Sequence, residues 1–207
     1  MNQASEGRRR LAPDERKSLL LAQAVDIFAD RGIGRGGHTE IAELSQVSVA
    51  TVFNYFNTRE ALVNEVLNEV QNYLLSLAVE TYSRIDDPVQ AIKYHLATFL
   101  QACETNPSYI RVWLEWSASV RDETWPKYLV LQNRLIDLIS EQIEKGIKLG
   151  YLEEGLTPRE RARWALGTSQ MLVSMMFDPS GKPDDLQDII ARGFTHVLNV
   201  SPRYQPV

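Results

Sequence analysis

Residues 48–55 place Ser48, Val49, Ala50, Thr51, Asn54 and Tyr55 within two helical turns, all small or able to hydrogen-bond. A carboxamide such as that of Asn54 presents a donor and an acceptor side by side, which is the complement of an adenine edge. Thr51 can meet a thymine methyl or a phosphate, and the Tyr55 hydroxyl can reach a phosphate oxygen. Val49 and Ala50 let a helix come close to a groove wall. This is the chemistry of recognition, in which no bond is made or broken.

Two further clusters have the right types. Arg8, Arg9 and Arg10 lie on a polar N-terminal arm, and such an arm can set guanidinium groups into an adjacent minor groove. Gly32–Gly37 formally satisfies the dinucleotide pattern GxGxxG. That reading is rejected, because the segment follows a helix rather than a strand and no alternating strand-helix pattern surrounds it. Glycines before a helix also let backbone approach a phosphate, and the helix start offers free N–H groups. Arg35, Gly37, His38 and Thr39 are therefore expected to sit on a nucleic-acid backbone.

The elements that must position these residues are helices. A first helix starts near Pro13, carries Leu20, Ala24, Ile27 and Phe28 on one face, and ends at Gly32. Thr39 is expected to cap a second, with Ile41, Ala42 and Leu44 for the core, and Ser48 a third ending near Tyr55. In that third helix Val52, Phe53 and Phe56 are expected to pack against Phe28 and Leu62. Thr58 opens a long helix with Leu62, Val63, Val66, Leu67, Val70, Leu74 and Leu77 at helical spacing. Asp87-Pro88 and Asn106-Pro107 are cap-then-proline starts. Trp125–Leu149, a capping box at Thr157–Glu160, and Pro183–Leu198 give the remaining helices. The fold class is all-α, about nine helices: a three-helix helix-turn-helix domain, then a larger helical bundle. The expected divisions are an arm at 1–12, a DNA-binding domain at 13–57, a dimerisation and ligand-binding domain at 58–200, and a tail at 201–207.

The chain resembles the TetR family of transcriptional regulators through Ile41-Ala42-Glu43, Val47-Ser48, Thr51-Val52, Phe56 and Glu60-Ala61-Leu62. Arg31–His38, Gln46–Phe56 and Val112–Pro126 are similar to one branch, the quorum-sensing master regulators of the LuxR/HapR/SmcR type from vibrios and relatives. The resemblance is tight over residues 8–65, good over 107–126, and thinner beyond. It implies a homodimer on double-stranded promoter DNA, an arginine arm used for specificity, and repression or activation with possible contact to RNA polymerase. Gln46 stands where a turn glycine is usual, Phe53 where a tyrosine often contacts phosphate, and Gly36-Gly37 replace commoner threonines.

The resemblance also implies that the last two helices pair with their copies, through Gly167, Leu172, Ile189, Ile190, Gly193, Phe194 and Val197. Phe99, Trp113, Trp116, Met171 and Met175, with Ser117, Gln132 and Asn133 as polar groups, are candidates for a cavity holding a small apolar ligand. Plain core is the competing reading of these aromatic and Met residues.

Composition sets the outer bounds. The 207 residues suffice for one large or two modest domains, with 44% hydrophobic and 24% charged content, as in soluble globular proteins. No apolar stretch reaches bilayer length and the N-terminus lacks a secretory pattern, so a cytoplasmic protein without a membrane partner is expected. The single cysteine, Cys103, fits a reducing compartment. Net charge is −5, all of it beyond residue 60, since residues 1–60 hold eight basic and eight acidic side chains. Local potential matters for DNA, so a neutral N-terminal part does not exclude it. His38, His95 and His196 lack metal-ligand spacing, and neither enzyme, metal nor cofactor is expected. The alternatives are a ligand-released repressor of an efflux or metabolic operon, and a helical interaction protein without DNA binding.

Overall fold

Proline in the first turn opens five of the described helices, where its missing N–H has no partner to lose. The computed structural model describes residues 12–180 and 186–206. Among them are α1 (Pro13–Arg31), α2 (His38–Ser45), α3 (Val49–Tyr55), α4 (Arg59–Arg84), α5 (Pro88–Thr105), α6 (Pro107–Ala118), α7 (Trp125–Lys148), α8 (Pro158–Met176) and α9 (Leu186–Leu198). The sole extended pairing among the described residues is an isolated antiparallel bridge between Leu152 and Val200. None of the described helices is long and apolar enough to cross a membrane.

Several starts follow from single side chains. The Asp87 carboxylate accepts from the Val89 and Gln90 N–H groups at 2.8 and 3.0 Å. The Thr58 hydroxyl accepts from Ala61 N–H at 3.0 Å. At α8, Thr157 Oγ1 accepts from Glu160 N–H at 3.3 Å while Glu160 accepts from Thr157 N–H at 2.8 Å, a reciprocal capping box. Helix α2 differs from its sequence reading. It begins one residue before Thr39, with Gly37 as N-cap and no side chain closing the turn, so its first N–H groups are left without a side-chain cap.

Contacts divide the chain into two compact units, one ending at Glu69 and the other beginning at Val70. In the first, Leu20, Ala24, Val25 and Phe28 of α1 pack with Ile41 and Ala42 of α2, Val52 and Phe56, and the start of α4. Two expectations fail here. Leu44 is 49% exposed and Phe53 is 45% exposed, so neither belongs to this core. Ile27 is half-buried.

In the second unit α7 packs on α5 and α8, and α8 packs on α9. Trp113, Trp116, Tyr128, Leu131, Ile143 and Val173 are among its buried residues. The segment read as a tail is tied to this unit. Tyr204 Oη donates to Asp87 Oδ2 at 2.7 Å and accepts from Gln90 Nε2 at 3.0 Å. Arg161, 1% exposed, donates to the backbone carbonyls of Leu156, Leu198 and Glu153. One buried guanidinium thereby joins α8, the turn before it, and the end of α9.

Candidate nucleic-acid interface

Helices α2 and α3 are joined by a turn at Gln46–Ser48. Gln46 takes the left-handed conformation, φ 54° and ψ 45°, as the C-cap of α2. Only glycine and a few polar residues adopt that conformation routinely, and a residue with a Cβ there costs about 1–2 kcal/mol. The Val47 N–H donates back to Ala42 O at 3.0 Å. Ser48 then caps α3, its Oγ accepting from Thr51 N–H at 3.1 Å and lying 2.8 Å from Thr51 Oγ1.

On α3 the division between inside and outside is sharp. Val52 and, just beyond the helix, Phe56 are buried in the unit. Ser48, Val49, Ala50 and Asn54 are exposed, and Thr51 and Tyr55 are half-buried. Six expected contact residues therefore share a solvent-accessible surface. Arg35 and Thr39 are exposed as well, and Gly37 is half-buried. Arg8, Arg9 and Arg10 lie outside the described residues.

His38 requires a correction. It was expected to touch a DNA backbone, but its side chain is 7% exposed. Its Nε2 donates to the Phe56 carbonyl at 2.5 Å; a carbonyl only accepts, so this nitrogen carries the proton. The ring also stacks on Phe53, centroids 3.9 Å apart and planes 6° from parallel. His38 thus clamps the start of α2 to the end of α3, and Phe53 covers it on the surface. Phe53 is committed to that stack rather than to the core.

The glycine segment is shaped by packing as much as by access. A Cβ on Gly36 would lie 2.6 Å from the Phe28 ring, so no larger residue fits without displacing a core aromatic. The Arg59 guanidinium, at the start of α4, donates to the carbonyls of Ile33 at 2.7 Å and Gly36 at 3.2 Å. Sequence reasoning missed this residue, because nothing local marks an arginine as the partner of a loop 23 residues away.

The second unit contains a mainly apolar cavity of about 40 Å³. Phe99 and Trp113 line it, as expected, and meet edge to face at 5.2 Å. The other expected lining residues do not. Trp116 is buried elsewhere, its indole N–H donating to Thr124 O at 3.1 Å. Ser117 Oγ donates to Leu114 O and accepts from Gln170. Asn133 is exposed and accepts from Arg159, Met171 is 48% exposed, and Gln132 and Met175 are half-buried away from the cavity. His95, Leu96, Ile139 and Ser169 take their places.

The expected pairing residues also separate. Leu172 and Phe194 are buried within the unit, and Phe194 lines the cavity, so neither can face a second copy. Gly167 is exposed, and Gly193, Ile189, Ile190 and Val197 are half-buried. Ile190 borders an open groove with Leu100 and Met176. Trp164, overlooked in the sequence, is 64% exposed on α8.

A three-helix unit whose third helix turns a polar, hydrogen-bonding surface to solvent, carried by a helical bundle, defines the class of helix-turn-helix DNA-binding regulators. A model of the bacterial regulatory proteins of the tetR family matches residues 20–66. The HTH-type transcriptional regulator LuxR of Vibrio harveyi is 43% identical over 154 residues, 71% of this chain and 72% of the relative. This chain belongs to the TetR family. The HTH-type transcriptional regulator RutR of Escherichia coli is 28% identical over 51% of this chain and 50% of its own. A TetR-family transcriptional regulator from Agrobacterium tumefaciens superposes with a TM-score of 0.77 at 15% identity, covering 92% of this chain and 100% of that one. The structure of AibR with isovaleryl coenzyme A and operator DNA gives 0.73 at 18% identity, covering 90% and 100%. The protein is a DNA-binding transcriptional regulator.

Proposed function

We propose that this regulator is a quorum-sensing master regulator that acts as a homodimer on pseudo-palindromic promoter sites. The surface presented by α3 carries the proposal: Asn54 exposed in its last turn, with Val49, Ala50 and Thr51 on the approach to the bases. Tyr55, Arg35, Thr39 and the uncapped start of α2 would hold the flanking phosphates, and Arg8, Arg9 and Arg10 an adjacent groove. The level of identity to the Vibrio harveyi regulator supports the quorum-sensing assignment.

One seven-residue helix reads only a few base pairs. Two copies on a two-fold axis, about 34–36 Å apart, double the readout. The outward stripe of α8, with Trp164, Gly167 and Met171 at helical spacing, is suited to pair with its own copy beside Ile189, Gly193 and Val197 of α9. Site position relative to RNA polymerase then decides between repression and activation. The expected division at 57/58 shifts to the one between Glu69 and Val70, the first unit serving DNA and the second dimerisation, with a compact, mostly apolar small molecule as modulator in the second unit.

Chromatin immunoprecipitation with sequencing at low and high cell density tests this reading. Occupancy of many promoters that rises with density, at sites sharing one two-fold motif, is the expected result. Occupancy confined to one neighbouring operon and released by a specific inducer would favour a ligand-released repressor instead.

A further inference from the structure

Between α1 and α2 the chain runs through Gly32–Gly37, four glycines in six residues. Glycine gives up more conformational freedom on ordering than any other residue, so such a connection does not hold one shape by itself. Two of its residues are nonetheless fixed. Ile33 is 6% exposed and belongs to the core of the first unit, and Gly36 is buried against the Phe28 ring. The N–H groups of Arg35 and Gly36 both donate to Gly32 O, at 3.1 and 3.0 Å, and close a tight turn. Gly34 and Arg35, between the two fixed points, are exposed.

That turn leaves the carbonyls of Ile33 and Gly36 to be satisfied, and a single nitrogen serves both. Arg59 Nη2 donates to Ile33 O at 2.7 Å and to Gly36 O at 3.2 Å. Hydrogen bonds from a charged donor are the stronger kind. Arg59 is the first residue of α4, and Leu62, Val63 and Val66 just after it are buried, so the donor stands on a firm base. Neither Arg59 nor Arg35 is in an ion pair among the described residues. The direction in which Arg35 leaves the surface is therefore set by the turn that Arg59 brackets. One residue past Gly36, Gly37 opens α2 without a side-chain cap, so the same bracket also places the first N–H groups of that helix.

We infer that Arg59 is a positioning residue for DNA binding: through its two carbonyl bonds it holds Arg35 and the open start of α2 in register on one stretch of phosphate backbone. The inference deepens the reading of Arg35 and the α2 start as phosphate contacts, and rests on it. Arg59 acts through the loop, so its loss weakens binding to every duplex alike, whereas loss of a base-reading side chain changes discrimination.

The test is a double-substitution cycle on the full chain, with Arg35→Ala, Arg59→Ala and the pair, and with the milder Arg59→Gln carried beside Arg59→Ala. Circular dichroism shows that each variant is folded. Affinity is measured by fluorescence anisotropy, over a range of KCl, for a two-fold site recovered by the immunoprecipitation and for a scrambled duplex of equal composition. Arg35→Ala alone should weaken both duplexes by about five-fold and lower the salt slope by about one per protomer. Arg59→Ala should weaken both to a similar degree, leaving the ratio between them unchanged. Once Arg59 is replaced, Arg35→Ala should cost less than about two-fold, because residues acting as one unit are not additive. Without DNA, Arg59→Ala should also speed hydrogen exchange at the Arg35 and Gly36 amides by about ten-fold or more, with the amides of α1 unaffected. Losses that multiply in the double variant, or exchange that does not change, would overturn the positioning role and leave Arg59 as at most a direct phosphate contact. Parent-like binding by Arg35→Ala would overturn the phosphate reading of this segment itself, and the inference with it.

Discussion

Asn54, His38, Gln46 and His95 show four different uses of a polar side chain. Asn54 is presented to solvent, where it can be read. His38 is buried to fix the geometry of the helix that carries Asn54. Gln46 holds a left-handed turn at a cost. Gln46→Val, whose branched side chain tolerates positive φ least, should lower unfolding stability by about 1–2 kcal/mol, whereas Gln46→Gly should leave it equal or higher. Urea titration checks both, and a Val variant as stable as the parent contradicts the turn assignment. His95 makes stability depend on pH. Its folded pKa of about 4 lies below the ordinary histidine value of 6.5, so between those values the unfolded chain binds the extra proton. Its contribution is therefore full above 6.5 and is lost as pH falls toward 4. Stability profiles of the parent and His95→Leu should diverge over that window, the variant falling less steeply; parallel profiles would contradict the buried neutral ring.

At the scale of elements, what was legible in the sequence was local. Asp87, Thr58, Ser48 and the Thr157/Glu160 pair act within a single turn, so their capping could be read from spacing. Partners made by the fold could not. The Arg59 clamp on the glycine segment and the bond from His38 to Phe56 depend on how separate helices meet. Trp113 and Trp116 lie close on one face of α6, yet the first meets Phe99 beside the cavity and the second meets Tyr128 and Thr124. Which neighbour each finds is set by other helices, so of the eight residues expected around a cavity only Phe99 and Trp113 line the one present. On α8 the neighbours Met171 and Leu172 are a hundred degrees apart around the axis, and only the structure shows that the second faces inward. The outward stripe has a measurable consequence. Trp164→Arg should convert the dimer to monomer in light scattering at micromolar concentration, with helicity by circular dichroism unchanged. A variant that remains dimeric removes α8 from the interface.

The whole molecule combines a neutral N-terminal part with an acidic remainder. Without a strong basic field, DNA of arbitrary sequence should be held more weakly than by a strongly basic protein. Duplication by a two-fold axis then squares the discrimination of one helix. The most direct measurement compares the parent and Asn54→Ala on a two-fold operator and on a scrambled duplex, at one fixed salt concentration. The substitution should cost on the order of 1–3 kcal/mol on the operator and relax base preference there, with affinity for the scrambled duplex unchanged. An operator-to-scrambled ratio identical in the two proteins would contradict the assignment of α3 as the element that reads sequence.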